Sequence, residues 1–365
     1  MDAATPAGHN GQQKHRGARR QNVSCDNDHW DETPMIPPNV FDPPFRITRT
    51  SHFVLTVRDI EASLTFYTEV LGLVVSAREA NTLYLRGIEE ACHHSLVLKR
   101  ADGEPVCQRV GLRAITEDDL DRAFHWLTGE GRAPRFVEAP GQGRTLWFDD
   151  AVGTPIELTA RMDAMPRMIT KFSTHRGGCA QRIDHCQILT PKVRRARDFW
   201  MSLGFRLSEY IAPDGVDEVF GVFLQRKGNP HDLVFFNGEG PRLHHFAYAA
   251  AETHNLLRAC DVAGELGYGK DVERGPGRHG PGHALFVYFR DPDGHRVELF
   301  NTHYQCMDLE NEPVRWDPGD PKISLPWGLP AQRKWFEEAT RFDHVQTDPP
   351  KRPPMPLTLE KFLAR

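Results

Sequence analysis

The chain repeats itself, and the repeat limits the possible folds more than any other feature. SHFVLTVRDIEASLTFYTEVLGL, at 51–73, has a counterpart in DHCQILTPKVRRARDFWMSLGF, at 184–205. Each opens with a histidine near the head of a strand, His52 or His185. Each then runs through an alternating apolar stretch into an amphipathic helix that ends at Leu-Gly. FDDAVGTPIELTAR (148–161) likewise matches FRDPDGHRVELFNT (289–302), which aligns Glu157 with Glu298. Two more units, 111–131 and 244–267, read as strand, polar link, helix and glycine, followed by short strands joined at Gly- and Pro-rich turns. The plan is an α+β chain of four strand–helix–strands modules, paired into domains at 45–165 and 178–305 with a linker at 162–180. Residues 1–44 read as a disordered polar arm, and 306–365 as a tail with one helix around AQRKWFEEATRF. Two modules side by side close a curved sheet into a cup, and the mouth of a cup is a ligand site.

Composition narrows the partners. The 365 residues suffice for two domains, and 39% hydrophobic content provides a core. A net charge of -5 without blocks of like charge argues against nucleic acid. The longest apolar runs are strand-sized, so no membrane span is expected, and MDAATPAGHNGQQKHRGARRQN lacks the apolar stretch of a secretory signal. Seven cysteines without a CxxC fit a reduced, cytoplasmic protein with neither disulfides nor a thiolate metal site. A metal would have to be held by His, Asp and Glu.

DPDGHRVELF, at 291–300, puts a carboxylate, Glu298, between Val297 and Leu299 in an apolar strand. On a concave face that costs several kcal/mol unless a cation or partner meets it. His185 and His245 each lie near the start of a module's first strand, and facing modules would bring them to Glu298. Two imidazoles and one carboxylate form the ligand set of non-haem Fe(II) oxygenases, with adjacent positions left for a bidentate diol and O2. The bland readings are a packed or surface role for each histidine and a salt-bridged strand residue for Glu298. The first domain keeps His52 and Glu157, but RVGLRAIT has no histidine where His245 would fall. That site reads as vestigial, with an arginine or lysine expected beside Glu157.

RIDHCQILTP (182–191), GPRLHHFAY (240–248), VERGPGRHG (272–280) and FVYFRDPDGHRVELF (286–300) together resemble the type I extradiol ring-cleaving dioxygenases. These belong to the vicinal oxygen chelate superfamily, and the likeness is greatest to the 3,4-dihydroxyphenylacetate (homoprotocatechuate) 2,3-dioxygenases. The resemblance covers residues 45–305. It implies four βαβββ modules of the glyoxalase/bleomycin-resistance type in two cups. It implies Fe(II), or Mn(II), on His185, His245 and Glu298. His231 matches an acid–base histidine, His279 and Tyr288 match substrate hydrogen-bonders, and Arg274 matches an arginine at the substrate's edge. The implied activity inserts both atoms of O2 into a catechol and yields a semialdehyde-type product. The implied partners are a catechol, O2 and three further copies of the chain in a tetramer.

The departures bear on the substrate. Gln187 stands where the phenylacetate enzymes have Asn, Phe223 where they have Trp, and Ile323 and Ser324 where they have an arginine pair for the substrate carboxylate. An apolar residue cannot grip a carboxylate as paired guanidinium groups do. A substituent less acidic than acetate is therefore expected. His231 could still be an ordinary loop histidine, since His94 is its repeat partner, Tyr288 a packing aromatic, and His283 a surface residue. The tail, with Trp316, Trp327 and Trp335, would cover the active-site mouth or an oligomer contact. GPGRHGPGH reads as a shaped loop or a mobile lid. Two rival readings use the same modules: a glyoxalase or epimerase type with a fourth protein ligand, and a metal-free small-molecule binding protein with no triad.

Overall fold

The computed structural model describes residues 36–213, 218–320, 325–350 and 358–364. Most of the N-terminal arm, and Ile323 and Ser324, lie outside the described residues. The first module is β1 (Ile47–Val57), α1 (Ile60–Thr65), β2 (Val74–Arg78), β3 (Thr82–Arg86) and β4 (Leu96–Arg100). The second is β5 (Cys107–Ala114), α2 (Glu117–Gly129), β6 (Arg135–Ala139), β7 (Gly143–Asp149) and β8 (Pro155–Thr159). The third is β9 (Arg182–Leu189), α3 (Val193–Ser202), β10 (Arg206–Ile211), β11 (Gly221–Gln225) and β12 (Leu233–Phe236). The fourth is β13 (Arg242–Ala249), α4 (Thr253–Glu265), β14 (Val272–Arg278), β15 (Leu285–Arg290) and β16 (Arg296–Asn301).

In every module the last strand returns parallel beside the first: β4 on β1, β8 on β5, β12 on β9 and β16 on β13. A parallel return needs a crossover, which the helix supplies. The first strands then pair antiparallel, β1 with β5 and β9 with β13, so each domain is one continuous sheet folded about that central pair. The tail adds β17 (Val314–Trp316) to the edge of β10 and β18 (Thr340–Arg341) to β13. The tail helix is shorter than expected, α5 at Arg333–Glu337. Glu338 leaves the helical region because β18 must reach β13, and its carbonyl accepts from Arg296 Nη1 at 3.1 Å.

The repeated Asp-x-x-Gly turns have a structural use. Asp291 Oδ1 accepts from the amides of Asp293 and His295, and Asp150 Oδ1 from those of Val152 and Thr154. Gly294 and Gly153 take positive φ, +87° and +90°, which closes each turn. The second carboxylate oxygen reaches across to the other domain. Tyr67 donates to Asp291 at 2.9 Å, and Trp200 donates to Asp150 at 3.2 Å. Tyr67 and Trp200 are equivalent repeat positions, so each domain's turn docks on the other's helix. One apolar core spans both domains, and Phe53 packs on Phe246 across the join at 5.1 Å. No helix among the described residues is long and apolar enough to cross a membrane.

Tyr67→Phe strips a buried carboxylate of its interdomain donor and should cost about 1–3 kcal/mol. Urea unfolding of the mutant, read as a shift in midpoint at constant slope, measures this.

Candidate metal centre

Strand register assembles the site. Across β9, β13, β16, β15 and β14, the paired residues His185, Ala247, Glu298, Tyr288 and Arg274 form one transverse row. His245 lies two residues before Ala247 and therefore shares its face. Ala247 separates His185 from Glu298 with only a methyl group, so both side chains lean over it. His185 Nε2 is 3.2 Å, and His245 Nε2 3.3 Å, from Glu298 Oε2. One ligand atom from each of the three lies within 4.8 Å of the others, and all three residues are buried. The nitrogens of His185, His231 and His303 are equally close, but that group has no carboxylate.

Both histidines of this group are oriented from behind, and β-bulges make this possible. Asp184 and His244 are the extra residues where the β9–β13 register slips. In a regular strand each would face away from its neighbour; a bulge re-aims it. Asp184 Oδ2 lies 3.0 Å from His185 Nδ1 and also accepts from Asn229 at 2.8 Å. His244 Nδ1 is 2.8 Å from His245 Nδ1, and His244 Nε2 is 2.8 Å from the Trp335 carbonyl. A carbonyl only accepts, so His244 carries its proton on Nε2 and accepts at Nδ1. His245 then donates from Nδ1. Both ligands thus present a bare Nε2 to the centre, the tautomer a metal requires.

Burial would raise the Glu298 carboxyl, but the imidazoles of His185, His245 and His279 gathered against it hold it well below the usual range. Burial lowers His245 to about 4 and, with the neighbouring His185 and His303, takes His231 well below the usual value. These imidazoles are neutral at physiological pH and free to bind or accept. Burial would lower His185 as well, but Asp184 and Glu298 on either side raise it. The residues fit a divalent ion: a buried anionic oxygen, two imidazole nitrogens with fixed tautomers, and an outer shell for each. Such a donor set suits Fe, Mn or Zn chemistry rather than a thiolate centre.

The other residues predicted from sequence gather here too. The His231 ring lies 4.3 Å from that of His185, and Phe223 packs on His231 at 5.3 Å. Tyr288 OH is 2.9 Å from His279 Nε2, and His279 stacks on Phe286 at 3.8 Å. Burial, then the Glu298 charge, holds the Tyr288 hydroxyl well above its usual value, so it remains a donor. Arg274 and Gln187 line the same cavity, and Arg274 lies over the Trp335 ring at 4.3 Å. The GPGRHGPGH segment is a shaped loop. His279 N donates to Ala284 O, and Gly282 N donates to the buried Glu209 carboxylate at 2.8 Å. Glu209 also accepts from Trp316 Nε1 at 2.8 Å, while Trp327 is half exposed. His283 is exposed.

Sequence reading missed Asp184, His244, His303 and Glu209. For the first two the signal was present, as polar residues directly before the ligands in RIDH and LHH. His303 stacks on Phe300 at 4.2 Å and lies 4.8 Å from His231, yet it follows the last strand, where no periodicity places it.

The first cup shows what the second depends on. The same register aligns His52, Gly111, Glu157 and Trp147. Arg109 takes the place of His245, Ser51 that of Asp184, and Gln108 that of His244. His52 Nδ1 and Ser51 Oγ have no hydrogen-bond partner among the described residues. The expectation of an arginine or lysine on Glu157 is corrected. Glu157 is bound by His52, by Gln142 at 3.2 Å and by the Trp147 indole at 3.0 Å, while Arg109 stacks over Trp147 instead.

Comparison with known proteins agrees with this geometry. Residues 49–158 and 182–299 match the model of the Glyoxalase/Bleomycin resistance protein/Dioxygenase superfamily. A metapyrocatechase from Pseudomonas sp. (strain CF600) is 30% identical over 290 residues, which cover 74% of this chain and 91% of the relative. An extradiol ring-cleaving dioxygenase from Brevibacterium fuscum superposes with a TM-score of 0.82 at 32% identity, covering 86% of this chain and 90% of that one. The chain belongs to the extradiol dioxygenases of this superfamily. A manganese-dependent 2,3-dihydroxybiphenyl 1,2-dioxygenase from Geobacillus genomosp. 3 is 28% identical over 79% of this dioxygenase and 95% of its own length. The family is metal-dependent, and the glyoxalase-type fold that the resemblance implied is the fold found.

Asp184→Ala and His244→Phe should each weaken Mn(II) binding about 10–100-fold, read from the free Mn(II) EPR signal of the reconstituted dioxygenase. The Glu157 carboxyl provides a separate test. Burial would raise it, but the His52 imidazole and hydrogen bonds from His52 and Gln142 bring it to about 2, below the ordinary 4.5. Its contribution is therefore complete above about pH 4.5 and lost as pH falls toward 2. Glu157→Gln should flatten that acid limb in pH-dependent unfolding.

Proposed function

We propose that the second cup is the ring-cleaving centre, that His185, His245 and Glu298 hold an iron(II) or manganese(II) ion there, and that the substrate is a catechol with an apolar substituent. The observation that carries this reading is the transverse row. A single strand register brings the carboxylate ligand, one imidazole ligand, the Tyr288 donor and Arg274 to one face, with His245 beside them. Bound there, such an ion supplies a Lewis-acidic, electron-transferring centre at which a vicinal diol and O2 can meet.

The remaining residues have definite tasks. His231 is buried and neutral beside His185, so it can take the proton that a diol gives up on binding and return it later. The Tyr288 hydroxyl and His279 ring lie within a hydrogen bond of each other and are able to steady charge on a substrate oxygen. Trp335 and Phe336 of the tail form part of the cavity wall.

The substituent is argued from the wall. Leu189, Ile211, Phe223, Val234, Phe236 and Phe336 line the cavity, and Arg274 is the one arginine or lysine among its described lining residues. Each methylene buried against such a wall is worth about 0.8 kcal/mol. A carboxylate placed there would lose hydration without a paired guanidinium to replace it.

O2 uptake on a catechol panel tests the reading. An alkyl- or aryl-catechol should exceed the acetate-bearing catechol in kcat/KM by about tenfold or more. A preference for the acid would overturn the substituent and leave the reaction class standing. His231→Phe should lower kcat about 10²–10⁴-fold with Mn(II) affinity unchanged.

A further inference from the structure

A second cavity of about 390 Å³ opens between the two domains, away from the metal-centre residues. Its walls carry an unusual concentration of cations: Arg49 and Arg113 from the first sheet, Arg167 from the linker, Arg182 from β9, and Lys227. Two of these are neutralised locally. Arg182 pairs with Glu89 at 2.9 Å and Lys227 with Asp232 at 2.7 Å. The other acid of the wall, Glu90, is committed elsewhere. Its oxygens accept from the Gly87 amide and Ser95 hydroxyl, both at 2.6 Å, and from the Ile183 amide at 3.0 Å.

Arg49 and Arg113 are left facing each other. They are direct cross-strand partners in the β1–β5 ladder, so their side chains leave the sheet side by side on one face. Like charges in that position repel and destabilise the strand pair. Arg49 Nη1 donates to the Thr50 carbonyl at 2.9 Å, and its charge is met only in part, by the Glu90 carboxylate. Arg113 Nη1 is buried and has no hydrogen-bond partner among the described residues. Burial, and then the Arg49 charge, holds the Arg113 guanidinium below its usual value. A native chain rarely keeps both a like-charge strand pair and an orphaned guanidinium nitrogen unless something absent from the protein atoms answers them.

We propose that this interdomain cleft is a binding site for a small polyvalent oxyanion, bridged by Arg49 and Arg113 with Arg167 at its rim. Two guanidinium forks on one face suit the paired oxygens of phosphate, sulfate or a short dicarboxylate. The site draws on residues from the first sheet, the linker and the second sheet, so a bound anion would tie the two domains together.

Thermal unfolding of the full-length, metal-loaded protein tests this in chloride and in phosphate, sulfate or malonate at matched ionic strength. At a tenfold excess over its dissociation constant the preferred anion should raise the wild-type Tm by about 2–4 °C. A response to phosphate and sulfate identifies an inorganic-type oxyanion, and a response to malonate alone a dicarboxylate. Arg113→Met should abolish the increment and, freed of the repulsion, unfold in chloride no lower than wild type. Arg49→Met gives the same reading if that variant does not fold. Calorimetry of the wild type should show one anion per chain. An increment that survives in Arg113→Met is a general salt effect and overturns the proposal, as does a variant that melts lower in chloride without losing the increment. Absence of calorimetric binding overturns it as well.

Discussion

The Glu298 carboxylate, midway along a strand whose every residue is buried, is the placement around which the second cup is built. Left alone it would cost several kcal/mol or take up a proton. The sheet prevents both by register. Pairing β9 with β13, and β13 with β16, fixes His185 one strand beyond Ala247 and Glu298 one strand before it. A slip of one residue in either ladder would turn one of the set to the opposite face. The buried Arg296, two residues earlier on the same strand, resists that slip. Its guanidinium holds Glu273 through two bonds, at 2.5 and 3.0 Å, and donates to the His244 carbonyl at 3.1 Å. The strand that carries Glu298 is thereby tied to β13 on one side and, across β15, to β14 on the other.

The two cups show how little separates a metal centre from a packed interior. Both have the bulges, the turn and the histidine–glutamate pair in register. In the first, Ser51 offers His52 no carboxylate, Arg109 fills the place of the second imidazole, and Trp147 and Gln142 take up the Glu157 oxygens. The buried His52–Glu157 contact that remains is a packed part of the core.

Much of this was legible in the sequence, for identifiable reasons. The repeat gave the modules, because a βαβββ unit has a glycine after its helix and an Asp-x-x-Gly turn before its last strand. Equivalent module positions singled out His185, His245 and Glu298, which the structure brings together, because a parallel return puts the last strand beside the first. What stayed hidden depends on irregularity. A bulge is invisible to period-2 reasoning, so Asp184 and His244 looked like outward-facing neighbours. Arg296, in an apparently ordinary HRVEL run, holds three separate backbone segments that no local pattern joins. The tail helix was overestimated because its apolar residues were read as helical period, whereas Phe342 belongs to the core beyond β18.

That tail deserves to be counted as part of the centre rather than as its cover. The chain of tautomers that bares His245 Nε2 begins at the Trp335 carbonyl, on the only turn of helix between β17 and β18 among the described residues. The same residue's ring lies over Arg274 and against His244, and its neighbour Phe336 lines the cavity. Glu338, three residues on, gives its carbonyl to Arg296. A shift of α5 would therefore act on His245, on Arg274 and on the strand carrying Glu298 together. Loosening the tail should reduce the order of the ligand set before it exposes the cavity, because hydrogen bonds to His244 and Arg296 are directional whereas the apolar wall tolerates repacking.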